Sequence, residues 1–484
     1  MTNNKGESLS VNGKLHGNLG VWDLVFSVVA FAAPLVVVGG QFPSLVVYTG
    51  YGIGIAYIYP VIMWIIFAVS FTTMNTYIGK PGAFYAFITE GINKEAGLGG
   101  AFVVCVGYFM FLVGMAAAMG VYLRQMVEGF GGPTIPWYIF SIISFAVIGL
   151  LGILKIDLSA KVLGVFLVLE LLVIGAFDII VFIKGGPDGS GISPVFNMEN
   201  LHNGNMMLAF LFATNSFFGF ETAAVLREEA KDPIITVRRA TYTAVCIIGG
   251  FYFISALALV TALGENGVAS ATFDNISNMF PILCGEYIGF FMPQIITVLL
   301  ITSSFATALA QHNTVARYLY SFGTDGVLWK KLGKIHSKYT SPYVASLNLS
   351  AICYIAIIGL MITSKFDPIG DGPYNFFVRT GGFGAATIIF ALCFVTIAIF
   401  LFFKKNPQLG VNIWKSKIAP LIAFMGLVFI LICAVVNIDE LIGMSFGASL
   451  GVSCLVPLIF LGGFIYAKYL KVNKPTIYKK IGRS

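Results

Sequence analysis

Charge is scarce in this sequence: Asp, Glu, Lys and Arg make up 11% of its 484 residues, against roughly 25% in ordinary soluble domains, whose surfaces need it in water. So little charge excludes a soluble globular fold. Apolar and aromatic residues supply 58%, with 44 Phe among them. Length alone would allow about three soluble domains of roughly 150 residues, but apolar runs recur from end to end with no polar domain between them. The composition therefore points to one integral membrane unit. Seven cysteines stand singly, at Cys105, Cys246, Cys284, Cys353, Cys393, Cys433 and Cys454; without a CxxC pair, neither a disulfide framework nor a zinc site is expected. His16, His202, His312 and His336 are scattered and form no HExxH pair, so neither an enzyme nor a bound metal or cofactor is expected. The fragment GYGIG at 50–54 follows a membrane span and lacks the strand–turn–helix setting of a nucleotide fingerprint. The first twenty residues carry no apolar signal region, which leaves the first apolar helix as the expected insertion signal.

A helix crosses a hydrocarbon core of about 30 Å with about 20 apolar residues. Twelve such stretches are present, near residues 22–47, 52–78, 97–127, 136–154, 159–183, 205–226, 237–263, 286–315, 343–363, 378–403, 417–437 and 443–468. An even number puts both termini on one side. With the N-terminus in the cytoplasm, Arg124, Lys184, Lys365 and Arg379 fall outside and the other 25 of the 29 basic residues fall inside, a strong positive-inside pattern. The expectation is a multi-pass protein of the cell membrane with both termini cytoplasmic. The net charge of +7 then reflects orientation and a basic tail, KYLKVNKPTIYKKIGRS, held at anionic membrane lipid; no nucleic acid is expected as a partner. The connecting segments leave no room for a soluble catalytic domain.

Two spans carry interruptions. Span 1 contains FAAPLVVVGGQFP, with Pro34, Gly39–Gly40 and Pro43 inside one apolar run. Proline removes an amide donor and clashes with the preceding turn, while paired glycines tolerate unwinding, so span 1 is expected to break near its middle. Span 6 reads MLAFLFATNSFFGFETAAVLREEAKDP and places Asn215, Ser216, Gly219 and Glu221 where a lipid-facing helix carries Leu; a break is expected around 215–220. Unpaired backbone at bilayer depth survives only where it is buried or lines a wet cavity. Interrupted segments five spans apart run in opposite directions, which marks a transporter binding site between inverted halves.

These residues resemble the amino acid–polyamine–organocation permeases over about residues 20–400. SFFGFE (Ser216 to Glu221), followed by EEAKDP and Arg238–Arg239, is the most specific match. APLVVVGG stands where many members carry a GSGI-type sequence, and GKPGAFYAF after span 2 and NTVARYLYSFGTDGVLWKKLGKIH after span 8 also look like the family's cytoplasmic segments. The resemblance implies an all-α integral membrane protein of 12 transmembrane helices: a five-plus-five inverted repeat with helices 1 and 6 interrupted, and two extra C-terminal helices. Residues 1–21 would then form a cytoplasmic N-terminal tail, 22–185 the first repeat, 204–405 the second, 406–470 the last two helices, and 471–484 a basic cytoplasmic tail.

The resemblance also implies a site. An amino acid brings a carboxylate and an ammonium, and each needs a partner once water is stripped off. Amides near Val38, Gly39 and Gly40 would hold the carboxylate as a helix N-terminus holds anions. Carbonyls near Ala33, and near Thr214 and Phe217, would receive the ammonium. Asn215 and Phe218 would face or gate the substrate's side chain, with Ser216 and Gly219 completing the break, and Tyr108 of span 3 would offer its hydroxyl to substrate or gate. Three acids lie inside spans, and such groups are costly enough to be functional by default. Glu170 is placed near the midplane, about 13 Å in at 1.5 Å per residue; Asp178, about 25 Å in, reads as a solvated helix end. Some proton-coupled relatives carry Lys in span 5 where Glu170 stands, so the charge is reversed here. Glu170 and Glu221 are the candidate proton carriers. Thr302, Ser303, Ser304 and Thr307 of span 8 could instead complete a sodium site, although hydroxyls in membrane helices usually bond back to their own helix. Arg238–Arg239 near Glu228, Glu229 and Asp232 read either as ion pairs of an inner gate or as a solvated loop.

The function expected is that of a secondary active transporter, a permease moving an amino acid by alternating access through proton-coupled symport or substrate exchange. A polyamine or amine transporter of the same fold, or a non-transporting amino-acid sensor, are the alternatives. A major facilitator would need a long cytoplasmic loop between spans 6 and 7, and a channel would need repeated filter segments or charged rings; the sequence has neither.

Overall fold

The computed structural model describes residues 18–80, 82–154, 156–189, 191–196, 205–271, 276–367 and 372–482, with the backbone alone for 156–163 and 276–278. The N-terminal tail up to residue 17, His16 and His202 lie outside the described residues. Within them the chain is helical, with no β-strand beyond an isolated bridge between Leu19 and Ala230.

The first span is built from α1 (Val21–Phe31), α2 (Pro34–Val36), a π-helical turn at Val37–Gln41 and α3 (Phe42–Thr49). There follow α4 (Gly52–Ala56), α5 (Ile58–Tyr77), α6 (Phe84–Gly91), α7 (Lys94–Gly129), α8 (Trp137–Ile153) and α9 (Ile156–Lys184). Span 6 consists of α10 (Met206–Asn215) and α11 (Thr222–Val225). Next come α12 (Pro233–Ala269), α13 (Ile276–Tyr287), α14 (Met292–Asp325), α15 (Tyr343–Thr363) and α16 (Gly372–Lys405). The chain ends with α17 (Ala419–Val436), α18 (Ile438–Ile442), α19 (Phe446–Ser453), α20 (Leu455–Asn473) and α21 (Pro475–Lys480). Ten helical segments are long and apolar enough to cross a membrane, and α8 and α10 are shorter apolar helices.

Local signals set the starts. Asn93 caps α7 by accepting from the Ala96 amide at 2.7 Å, and Asp232 caps α12 by accepting from Ile235 at 3.2 Å with Pro233 in the first turn, satisfying amides that have no partner within the helix. Helix α7 runs through the middle of the molecule. Its glycines bring neighbours close: a Cβ on Gly107 would lie 2.0 Å from Thr387 Oγ1, and one on Gly114 2.2 Å from Thr380 Oγ1. This is the small-residue packing that membrane helices use in place of a hydrophobic driving force. The outer helices α8, α9, α15, α17 and α20 turn exposed Ile143, Leu172, Ile355, Met425 and Ile465 outward, as a lipid-facing surface requires.

Span 8 departs from expectation. Residues 286–287 belong to the separate helix α13, and α14 starts at Met292 and runs ten residues beyond 315, to Asp325. Hydropathy ends the span where His312, Asn313, Thr314 and Arg317 begin, but these polar residues are buried against protein, so the helix continues.

Candidate functional site

Span 1 breaks at Ala32–Ala33, ahead of Pro34. Ala33 sits at φ 53°, ψ 65°, in the left-handed region that costs a residue with a Cβ, and Pro34 starts the next helix with the φ that a first helical position needs. The pair Gly39–Gly40 lies instead in the π-helical turn. The break leaves carbonyls without helical partners. Ala32 O accepts from the Tyr252 hydroxyl at 2.9 Å and Ala30 O from Thr307 Oγ1 at 2.9 Å. On the other side, the Leu35 amide points at Glu170 Oε2, 3.4 Å away, and the Val37 amide bonds Ala33 O at 2.9 Å.

Span 6 breaks over residues 216–221, where it was expected to. Gly219 has φ 101°, and a Cβ there would lie 2.3 Å from Cδ1 of Phe31, so only glycine fits against the end of α1. The two breaks are tied together by Gln41, whose Nε2 donates to Phe212 O at 2.6 Å and whose Oε1 accepts from Ser216 Oγ at 3.3 Å. Ser216 Oγ also meets the buried Tyr57 hydroxyl at 2.9 Å.

Between the breaks lies a cavity of about 390 Å³. Its floor is Phe31, Ala32, Ala33, Asn215, Ser216 and Phe218, and its wall climbs through Gly40, Gln41 and Ser44 to Tyr48. There the Tyr48 hydroxyl donates to Glu440 on α18 at 2.6 Å, so the cavity rises toward the face opposite the N-terminus. Of the residues expected to bind substrate, Ala33, Gly40, Asn215, Ser216 and Phe218 line it. Val38, Thr214 and Phe217 are buried behind the wall, Phe217 stacked on Trp64 at 6.3 Å, and Gly39 and Gly219 are also absent from the lining. Tyr108 sits below the floor with its ring edge-on to Phe31 at 5.3 Å. Sequence reasoning missed Gln41 and Gln311; Thr307, considered there only for an ion site, also lines the cavity. Gln311 Oε1 and Asn215 Oδ1 are buried oxygens without a hydrogen-bond partner among the described residues, both on residues of the lining.

The acids fall in three places. Glu170, 1% exposed, accepts from Ser303 Oγ at 2.8 Å beside the break in span 1. Ser304 and Thr302 bond carbonyls of their own helix, so of the hydroxyls considered in span 8 only Ser303 and Thr307 reach across. Glu221 is fully buried, and neither of its carboxylate oxygens has a hydrogen-bond partner among the described residues. Asp178 overturns its reading as a solvated helix end: it is 3% exposed and accepts from Ser255 Oγ at 2.6 Å, because α12 and α13 cover this face of α9.

The N-terminal face is closed. Arg317 grips Glu229 with two bonds, 2.6 Å from Nε and 3.0 Å from Nη2, both residues buried. Arg227 Nη1 donates to Asn75 O at 2.5 Å, and Leu19 pairs through its backbone with Glu229 and Lys231. Of the two readings of Arg238–Arg239, ion pairs of a gate or a solvated loop, the first is not met: neither forms an ion pair among the described residues, both are exposed, and Glu229 takes Arg317 from a helix 88 residues on. Tyr85 OH and the Gly482 amide both donate to Asp325 Oδ2, at 2.7 and 2.9 Å.

The sequence profile described as amino acid permease matches residues 19–465. A branched-chain amino acid permease of Lactococcus lactis is 22% identical over 411 residues, covering 79% of this chain and 82% of that protein. A low-affinity putrescine importer of Escherichia coli is 24% identical over 314 residues, covering 62% and 66%. A mutant of the Eremococcus coleocola manganese transporter has a similar fold, with TM-score 0.62 at 12% identity, covering 95% and 94%.

Proposed function

The chain belongs to the amino acid permease family, and from that membership we propose that it carries an amino acid through the cavity between its two broken spans, in the cell membrane with both termini cytoplasmic. The observation that carries this reading is the meeting of two interrupted helices at one cavity, bridged by Gln41 and Ser216. A zwitterion needs opposite partners close together. The freed carbonyls of α1 and the end of α10 near Thr214 and Phe217 serve the ammonium; amides near Val38, Gly39 and Gly40 serve the carboxylate. Asn215, Gln311 and Phe218 then meet the substrate's side chain. A cavity of about 390 Å³ has room for one such molecule.

Coupling is assigned to a proton on Glu170. Its carboxyl touches both Ser303 and the first free amide after the break, so a change in its charge acts directly on the geometry of span 1. Glu221, facing the closed side, is the second carrier. Orientation is supported by the 25 basic residues that the twelve expected spans leave on one side. Amine transport is the alternative, favoured by a lining in which the one charged side chain is an acid. A thermal-shift screen of purified protein against all amino acids and common polyamines tests the reading, since a ligand stabilises the state it binds in proportion to its occupancy. Stabilisation by at least one amino acid, followed by saturable uptake of it into proteoliposomes, is expected; stabilisation by polyamines alone moves the substrate to amines, and none by any compound sinks the proposal.

A further inference from the structure

Asp178 has no role in the site described above, yet it is a buried acid at bilayer depth. One oxygen takes the Ser255 hydroxyl at 2.6 Å, and the other, Oδ1, meets no partner among the described residues. A carboxylate ion so placed would lack nearly all the donors it has in water, a cost that such groups avoid by binding a proton. No metal cation replaces that proton, because one hydroxyl is too few oxygens to stand in for a hydration shell, and no group of three or more His, Cys, Asp or Glu is clustered among the described residues.

Its surroundings connect it to the coupling acid. Asp178 lies eight residues along α9 from Glu170, about 12 Å at 1.5 Å per residue. Ser255, its donor, is one turn from Tyr252 on α12, and the Tyr252 hydroxyl bonds Ala32 O at the break in span 1. Hydroxyls of α12 therefore stand beside both the acid and the break. Among the described residues, Cys284 of α13 is a titratable neighbour of Asp178, and the Tyr287 ring of the same helix packs on Phe177, next to Asp178 in the chain, at 6.1 Å. The cation one and a half turns on, Lys184, is bound instead to Tyr287 O at 2.7 Å.

We propose that Asp178 is a further proton-binding site of the transport cycle, besides Glu170 and Glu221, loaded from the face opposite the N-terminus while the cavity is open there, and feeding the acid at the span 1 break. This rests on the transport reading above, and the test separates the two. In proteoliposomes, counterflow of labelled leucine, or of putrescine if leucine is not carried, requires substrate exchange and no net proton movement. Asp178→Asn is expected to keep counterflow within about twofold while losing most of the stimulation by an imposed pH gradient. Ser255→Ala is expected to displace the pH midpoint of uptake with counterflow intact, which a merely structural role would not do. Infrared difference spectra of the purified protein between mildly acid and alkaline buffer should contain a carboxyl band that Asp178→Asn lacks. An unchanged pH response in Asp178→Asn, no missing band, or loss of counterflow together with the pH response in a monodisperse variant each overturns the proposal. Absence of counterflow for every probe in the wild type overturns the transport reading instead.

Discussion

At the scale of single residues, the site depends on two positions where the backbone leaves the helix. Gly219 combines φ 101° with contact against Phe31, so Gly219→Ala carries both a strained backbone, about 1–3 kcal/mol, and a clash. A lower melting temperature of the purified protein and loss of substrate binding are expected. Gly175 offers the comparison: it lies in α9 with open space around a new Cβ, and Gly175→Ala should be neutral or stabilising by about 1 kcal/mol, the helix-propensity difference. Gln41→Ala removes the link between the breaks. A hydrogen bond contributes about 0.5–1.5 kcal/mol net, so substrate affinity, read by the thermal shift at varied ligand, should fall by roughly two- to tenfold. Both breaks were legible as local chemistry, but their centres were not equally so. In span 6, Ser216 and Gly219 marked the turn itself. In span 1, where Pro34, Gly39–Gly40 and Pro43 all pointed to a break near the middle, the chain turns at Ala33 just ahead of Pro34, while a π-helical turn absorbs the glycines. Gln41 and Gln311 were missed because an amide reads as plain polarity until the fold aims it at a cavity.

At the scale of elements, the closed face is held by side chains far apart in sequence. Glu229 follows α11 and Arg317 lies deep in α14, and no pattern within either segment announces the pair; the nearer Arg238–Arg239 are exposed instead. Asp178 was misplaced for a related reason. Depth along α9 was read correctly from the rise per residue, but cover by α12 and α13 is a tertiary fact. Removing one partner of a buried ion pair costs about 3–5 kcal/mol, so Arg317→Ala should shift the protein toward states open on the N-terminal face. A cysteine introduced by Asn313→Cys, one turn from Arg317 and 5% exposed as Asn313, should then react faster with a membrane-impermeant maleimide applied from that side. The exchange Glu229→Arg with Arg317→Glu should slow it again, and equal labelling in all three backgrounds would remove this pair from the gate.

At the scale of the whole molecule, composition identified a membrane protein, the length of the apolar runs and the family resemblance gave helices, and charge asymmetry predicts its orientation. A protease-cleavable tag at either end should be cut only from the cytoplasmic side in intact cells; cleavage from outside would reverse every assignment of inner and outer made here. The described cavity also has a polarity of its own. Among its lining residues the one charged side chain is Glu440, placed at the rim and bonded to Tyr48. A negative charge at the mouth of a low-dielectric vestibule works as a sorting field that acts before any hydrogen bond to the substrate forms. Anions such as aspartate and glutamate are turned away while still in solution, and cations are concentrated there over about 10 Å, the screening distance at 0.1 M salt. Discrimination by net charge should therefore fade as ionic strength rises and be flattened by Glu440→Gln, whereas discrimination by side-chain shape, which is decided at the floor of the cavity, should survive both.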